Sequence, residues 1–280
     1  MTQLALRTPE PDFGSVTAAL NFQVPRAERP QVFVAPPGEG QHERKASYAP
    51  QQVEILDGRL LDPQPTLDRE GFALTRAPSA VTDFYDEEQI REVYDAELAR
   101  LIRRETGARK VVVFDHTRRL DEGDGENGKA LRKPVRTVHN DYTVKSGPQR
   151  VRDLLEPEEA EEWLQGRFAV INAWRSIRGT VETTPLTLAD AQSVAPENLV
   201  ATDLVYSDRV GEIYEVTHGP GQRWVSFPRM TPEEVLLIKG YDSLTDGTAR
   251  FTPHTAFDDP TTPADAAPRE SIESRMLVFY

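Results

Sequence analysis

The chain has 280 residues, no cysteine and a formal net charge of −13. Without a thiol, disulfides, thiolate catalysis, iron–sulfur clusters and cysteine-ligated zinc are excluded, and so acidic a surface repels phosphate backbones, which argues against nucleic acid as a partner. No apolar stretch approaches the roughly 20 residues that span a bilayer, and the start MTQLALRTPEPDFG has neither the charged beginning nor the apolar run of a signal peptide, so a cytoplasmic protein with no membrane partner is expected.

Residues 1–50, with PRAERPQ and APPGEG, predict an extended arm carrying one short strand around Gln31–Val34. The domain proper is expected over 51–280. QQVEILDGRLL at 51–61 reads as a strand, a glycine turn and a second strand. A helix is predicted over 83–106. Asp83 or Asp86 caps it, Glu87 and Glu88 favour its N-terminal dipole, and Ile90, Val93, Tyr94, Leu98, Leu101 and Ile102 recur at helical spacing before Gly107 stops it. The β-branched run from Val111 to Phe114 reads as a buried strand. A charged, glycine-rich loop follows over 120–134, then the strand VRTVHNDYT and a helix over 148–165. From Phe168 onward, apolar runs recur at the pace of a β-sandwich or barrel. Neither GxGxxG nor GxxxxGK[ST] occurs, so the common nucleotide folds find no support.

Val138-His139-Asn140-Asp141-Tyr142 carries the most chemistry. On a strand, residues two apart share a face, so His139 and Asp141 point together while Asn140 points away. An imidazole and a carboxylate on one face supply two corners of a facial triad. A distant histidine completes it and leaves open positions on iron(II) for a cosubstrate and oxygen. Only five histidines exist. Downstream of Asp141 stand His218, before the turn Gly219-Pro220-Gly221, and His254, in FTPHTAF. His254 is preferred because a basic strand follows it, and His218 stays open as the alternative.

On that last strand Arg269, Ser271, Glu273 and Arg275 alternate onto one face. Arg269 is placed to take a distal carboxylate in a bidentate fork, with Arg275 a close second and Ser271 adding a hydroxyl contact. On the strand INAWRSI, Asn172 and Trp174 share one face and Ala173 and Arg175 the other. Asn172 or Arg175 is a candidate contact to cosubstrate or substrate, and Tyr142, Trp174 and Trp224 are candidate walls of an apolar substrate pocket. Asp115 and His116 are adjacent, so they point to opposite faces and do not make a second metal site.

The segments TGARKVVVFDHTRR, VRTVHNDYT, INAWRSI, QRWVSFPRMTPEEVLLIKGYDS and PHTAFDDP followed by PRESIESRMLVFY resemble, in order, the CmcJ/AsaB-type family. That family holds the small component of cephamycin 7α-methoxylase, gibberellin-desaturase-like proteins and fungal hydroxylase/desaturases of secondary metabolism. The likeness runs from about residue 53 to the end. It implies a mainly β fold with flanking helices, the double-stranded β-helix (jelly roll, cupin-like) of the iron(II)/2-oxoglutarate oxygenases. His139, Asp141 and His254 match the metal ligands, and Arg269 or Arg275 the cosubstrate arginine. The expected cofactors are Fe(II) and 2-oxoglutarate, and the expected activity is hydroxylation or desaturation of a small molecule. The alternatives are a non-catalytic partner of a biosynthetic complex, or a metal-dependent isomerase that does not use 2-oxoglutarate. A biosynthetic partner protein or a homodimer is allowed for.

Overall fold

The computed structural model describes residues 14–34, 43–121 and 131–280. Much of the predicted 120–134 loop lies outside these, as do parts of the expected arm. In chain order the strands begin with β1 (Ser15–Gln23), β2 (Gln31–Phe33), β3 (Glu43–Lys45), β4 (Tyr48–Asp57) and β5 (Phe72–Arg76). Beyond the first helices come β6 (Lys110–Leu120) and β7 (His139–Asn140), and then β8 (Phe168–Ser176), β9 (Leu186–Ala189), β10 (Leu199–Val205) and β11 (Val210–Val216). The last are β12 (Trp224–Ser226), β13 (Glu234–Asp242), β14 (His254–Ala256) and β15 (Glu270–Phe279). One sheet has the order β1-β4-β12-β9-β14-β7-β11-β10-β2-β3, and the other β5-β13-β8-β15-β6. The two curl face to face as a jelly roll. Between them lie Trp174, Leu188, Val225, Leu236 and Ile238.

The outer face of the smaller sheet is covered by helix. Asp86 caps α1 (Glu87–Gln89) by accepting from the Glu88 and Gln89 amides. The turn Ile90–Tyr94 is π-helical, and α2 (Asp95–Thr106) ends on Gly107 at φ 72°, a left-handed position natural to glycine. Leu98, Leu101 and Ile102 lie against Ile171, Ala173 and Met276. The single helix expected over 148–165 is instead α3 (Ser146–Leu154) and α4 (Pro157–Leu164). Pro157 accounts for the break, because its ring disfavours helical backbone in the residue before it, and Glu156 stands at ψ 146°.

The N-terminal expectation differs most. A boundary at 50/51 falls inside β4, and Ser15–Gln23 is a nine-residue strand fully paired with it. β1 also bridges back to the far side of its own sheet, Asn21 to Thr137 and Gln23 to Thr217. The closure encloses a second core on the back of the larger sheet, made of Ala18, Leu20, Phe22, Ile55, Val138, Val216, Trp224 and Phe257. The alternation of apolar residues at 16, 18, 20 and 22 is the sequence counterpart of that strand. The second strand expected after the glycine turn at 58 is absent, with the 3-10 turn Gly58–Leu60 standing there instead, and β9 joins the predicted strands.

Candidate metal centre

Three side chains meet in the interior of the roll. The donor atoms of His139, Asp141 and His254 all lie within 4.8 Å of one another. Adjacent strands of one sheet supply the histidines: β14 pairs with β7 at His254 opposite His139, and their ring centroids are 4.6 Å apart. Asp141 follows β7 directly, one pleat on from His139, and its Oδ1 is 3.5 Å from His139 Nε2.

The same local device aims both rings. His139 Nδ1 bonds the Thr137 carbonyl at 2.8 Å and His254 Nδ1 the Thr252 carbonyl at 3.0 Å. A carbonyl only accepts, so each Nδ1 carries the proton and each Nε2 lone pair is free to coordinate. Burial, with His254 beside it, pulls His139 down to about 3, so the imidazole is neutral at ordinary pH. On Asp141, Oδ2 accepts from Asn172 Nδ2 at 2.8 Å and from Arg275 Nε at 3.0 Å. The nearby Arg275 guanidinium and the two imidazoles hold the carboxyl well below its usual range against the opposing cost of burial. Its other oxygen faces the histidines. Two bare imidazole nitrogens and an ionised carboxylate are the donor set that suits a borderline divalent cation such as iron(II).

Asn140 points away from the donors, as strand alternation predicts, and ties the centre together. Its Nδ2 donates to the Tyr142 and Gly240 carbonyls at 2.6 and 2.9 Å, and its Oδ1 accepts the Thr252 amide at 2.9 Å. One buried amide therefore fixes the turn carrying Asp141 and the segment leading to His254.

A small cavity adjoins the histidines. Its walls include Arg119, Val135, Trp174, Leu186, Ala256, Arg269 and Glu273. Arg269 is buried, lies over the Trp174 ring at 5.4 Å and donates from Nη1 to the Thr184 carbonyl at 2.5 Å. Its Nε and the Ser271 hydroxyl are buried without a partner among the described residues. Burial is the main cause that draws the Arg269 guanidinium down to about 9. Unpaired donors cost free energy in the interior, so this corner suits an anion rich in oxygen acceptors.

The other sequence candidates separate. Arg275 is engaged by Asp115 at 2.5 Å, Asp141 at 3.0 Å and Glu273 at 2.5 Å, so its guanidinium braces the carboxylate ligand and is not free for a cosubstrate. Asn172 likewise spends its amide on Asp141 and on Glu273 at 3.1 Å. Arg175 faces the helical layer, bonding the Ala77 carbonyl at 2.6 Å over the Tyr94 ring, and the structure does not bring it to the cavity. Trp224 is also elsewhere. It sits edge-on to Phe22 in the second core, because it shares the pleat of Ile55 and Ala189, opposite to that of Leu188 and Val225. The Tyr142 ring packs with Val151, Phe168 and Tyr241, and burial raises its hydroxyl above the usual tyrosine value. Trp174 does line the cavity. His218 lies against Phe22, at 5.1 Å between centroids, apart from the triad. His116 bonds Asp95 and Ser274.

Arg119 is not among the candidates that the sequence singles out. β6 runs through to Leu120, and the same two-residue period places Asp115, Thr117 and Arg119 opposite Arg275, Glu273 and Ser271. That alternation is the signal that would have found it. A larger cavity, about 740 Å³, lies between Ser15, Asp57, Arg59, Arg229 and the 257–263 segment and is lined by none of the triad.

Residues 20–279 match the family described as oxidoreductase/YMDC permease-like domain. The hydroxylase/desaturase efuI of Hormonema carpetanum is 32% identical over 84% of this chain and 86% of its own length. The alpha-ketoglutarate-dependent dioxygenase phiK of a fungal species is 35% identical over 81% of this chain and 83% of its own. Among solved structures, the iron and alpha-ketoglutarate-dependent endoperoxidase NvfI superposes with a TM-score of 0.83 at 29% identity, covering 96% of this chain and 99% of that one. With a family match over nearly its whole length and relatives of this identity along most of theirs, the chain belongs to the oxidoreductase family of the fungal hydroxylase/desaturases and 2-oxoglutarate-dependent dioxygenases.

Proposed function

We propose that the protein is an iron(II)- and 2-oxoglutarate-dependent oxygenase that hydroxylates or desaturates a small molecule of secondary metabolism in the cytoplasm. The observation that carries this reading is the convergence of His139, Asp141 and His254, with each Nδ1 bonded to a backbone carbonyl so that Nε2 is left to a metal. Bound there with 2-oxoglutarate, iron(II) supplies the oxygen-derived oxidising power that breaks an unactivated C–H bond.

The chain's own residues bind and orient. Arg269 takes the far carboxylate of 2-oxoglutarate, and the unpartnered Ser271 hydroxyl adds a donor. Asn172 and Arg275 hold Asp141 Oδ2, so the carboxylate cannot rotate away. Trp174, Val135, Leu186 and Ala256 give the cavity apolar walls that exclude water. The triad and Arg269 come from one chain, so the reading does not need the partner protein or homodimer that the sequence allows.

The test is succinate formation from 2-oxoglutarate after anaerobic loading with iron(II) and exposure to oxygen. Wild type is expected to form succinate, and His139→Ala to fall to the protein-free background. Equal turnover by both overturns the proposal.

A further inference from the structure

We propose that Arg119 is a second guanidinium of the 2-oxoglutarate site, sharing the far carboxylate with Arg269 and Ser271. The inference rests on the cosubstrate reading above and adds a residue to it. Arg119 lines the cavity beside the histidines, Trp174, Arg269 and Glu273. On β6 it stands directly opposite Ser271 of β15, and Arg269 is two residues before Ser271 on the same pleat. Direct and diagonal cross-strand neighbours lie within reach of long side chains. Two guanidiniums and a hydroxyl therefore converge on one corner.

Charge makes the same point. Two guanidiniums in one corner, Arg269 buried and Arg119 partly so, repel each other and favour a shared anion. The carboxylates nearest them are committed. Glu273 is bonded by Arg275 at 2.5 Å and by Asn172 at 3.1 Å, and Asp121 by Thr184 and by Arg136 at 3.2 Å. Among the described residues the Arg119 guanidinium makes one hydrogen bond, from Nη1 to the Lys133 carbonyl at 2.9 Å. Its other N–H groups remain for a ligand. The cavity, about 20 Å³, has room for little more than a water, so a dicarboxylate enters by displacing a wall. Arg119, held by that single bond, is the wall with freedom to re-aim, whereas Trp174 and Glu273 are fixed by packing and by partners.

The experiment measures binding, not turnover. Wild type, Arg119→Ala, Arg119→Gln and Arg119→Lys are loaded anaerobically with manganese(II) and titrated calorimetrically with 2-oxoglutarate and with pyruvate, a 2-oxo acid that lacks the far carboxylate. Losing a charge-assisted contact is expected to weaken 2-oxoglutarate binding about tenfold or more in the Ala and Gln variants, and less in Lys. Pyruvate affinity and manganese occupancy are expected to stay at wild-type values. Unchanged 2-oxoglutarate affinity, or an equal loss for pyruvate, overturns the role of Arg119. Wild type that binds manganese but no 2-oxoglutarate overturns the cosubstrate reading together with it.

Discussion

His139 shows how the fold prepares a ligand before any metal arrives. Burial pulls its imidazole from 6.5 to about 3, so the folded state stays neutral where the unfolded chain takes up a proton. Stability therefore rises with pH across that window and is lost as pH falls from 6.5 towards 3. Asp141, whose carboxyl is held below 3.8, adds a loss in the same direction at the acid end. The metal-free protein is expected to melt at progressively lower temperature between pH 6.5 and 4, and His139→Gln to flatten that fall. Thermal melts across the range check this, and parallel curves for the two proteins would contradict it. At this scale the sequence was legible where a two-residue period and a scarce residue type coincided. His139 and Asp141 share a face because strands alternate, and with five histidines in the chain few could complete the set. Arg269 and Arg275 were indistinguishable by alternation, since both face inward. Only the position of Asp115, Asp141 and Glu273 around Arg275 separates them, and Asp115 and Asp141 come from segments far from Arg275 in sequence. Trp174 and Trp224 were alike for a related reason: both stand in runs buried on both faces, where pattern does not say which core a side chain enters.

At the scale of elements, β1 is the piece the sequence hid. Prolines at 25, 30, 36 and 37 dominate the composition of the first fifty residues and mask the alternating strand that precedes them. Its pairing partner β4 and its bridges to Thr137 and Thr217 are long-range, so nothing local announces them. Burying Leu20 and Phe22 stabilises the fold by roughly 3–6 kcal/mol at about 1.5–3 kcal/mol each, a large part of the roughly 5–15 kcal/mol of a typical domain. Deleting residues 1–23 is accordingly expected to leave a chain that is largely insoluble or unfolds well below wild type in urea. A truncated protein with an unchanged urea midpoint would show that β1 is a dispensable arm. Val138 belongs to the same core and precedes His139, so β1 also backs the strand on which the metal centre is built. The helices were read from periodicity and capping and fall near their expected places. The exception is the stop at Pro157, a residue whose effect on its predecessor is visible in sequence once it is weighed against the helical pattern.

Over the whole molecule, the site is where the two sheets meet. β7 and β14 of the larger sheet bring the histidines, and β6, β8 and β15 of the smaller bring Arg119, Asn172, Trp174, Ser271, Glu273 and Arg275, with Arg269 just before β15. Against a chain of net charge −13, the cavity concentrates guanidinium groups, which favours an anionic cosubstrate in an otherwise acidic protein. The central claim is that one divalent ion is held by three side chains distant in sequence. Its most direct test is anaerobic iron(II) titration of wild type and of single alanine variants at His139, Asp141, His254 and His218. The account predicts one iron per chain in wild type and in His218→Ala, and loss of that site in the other three. Full occupancy in His254→Ala, or its loss in His218→Ala, would contradict it.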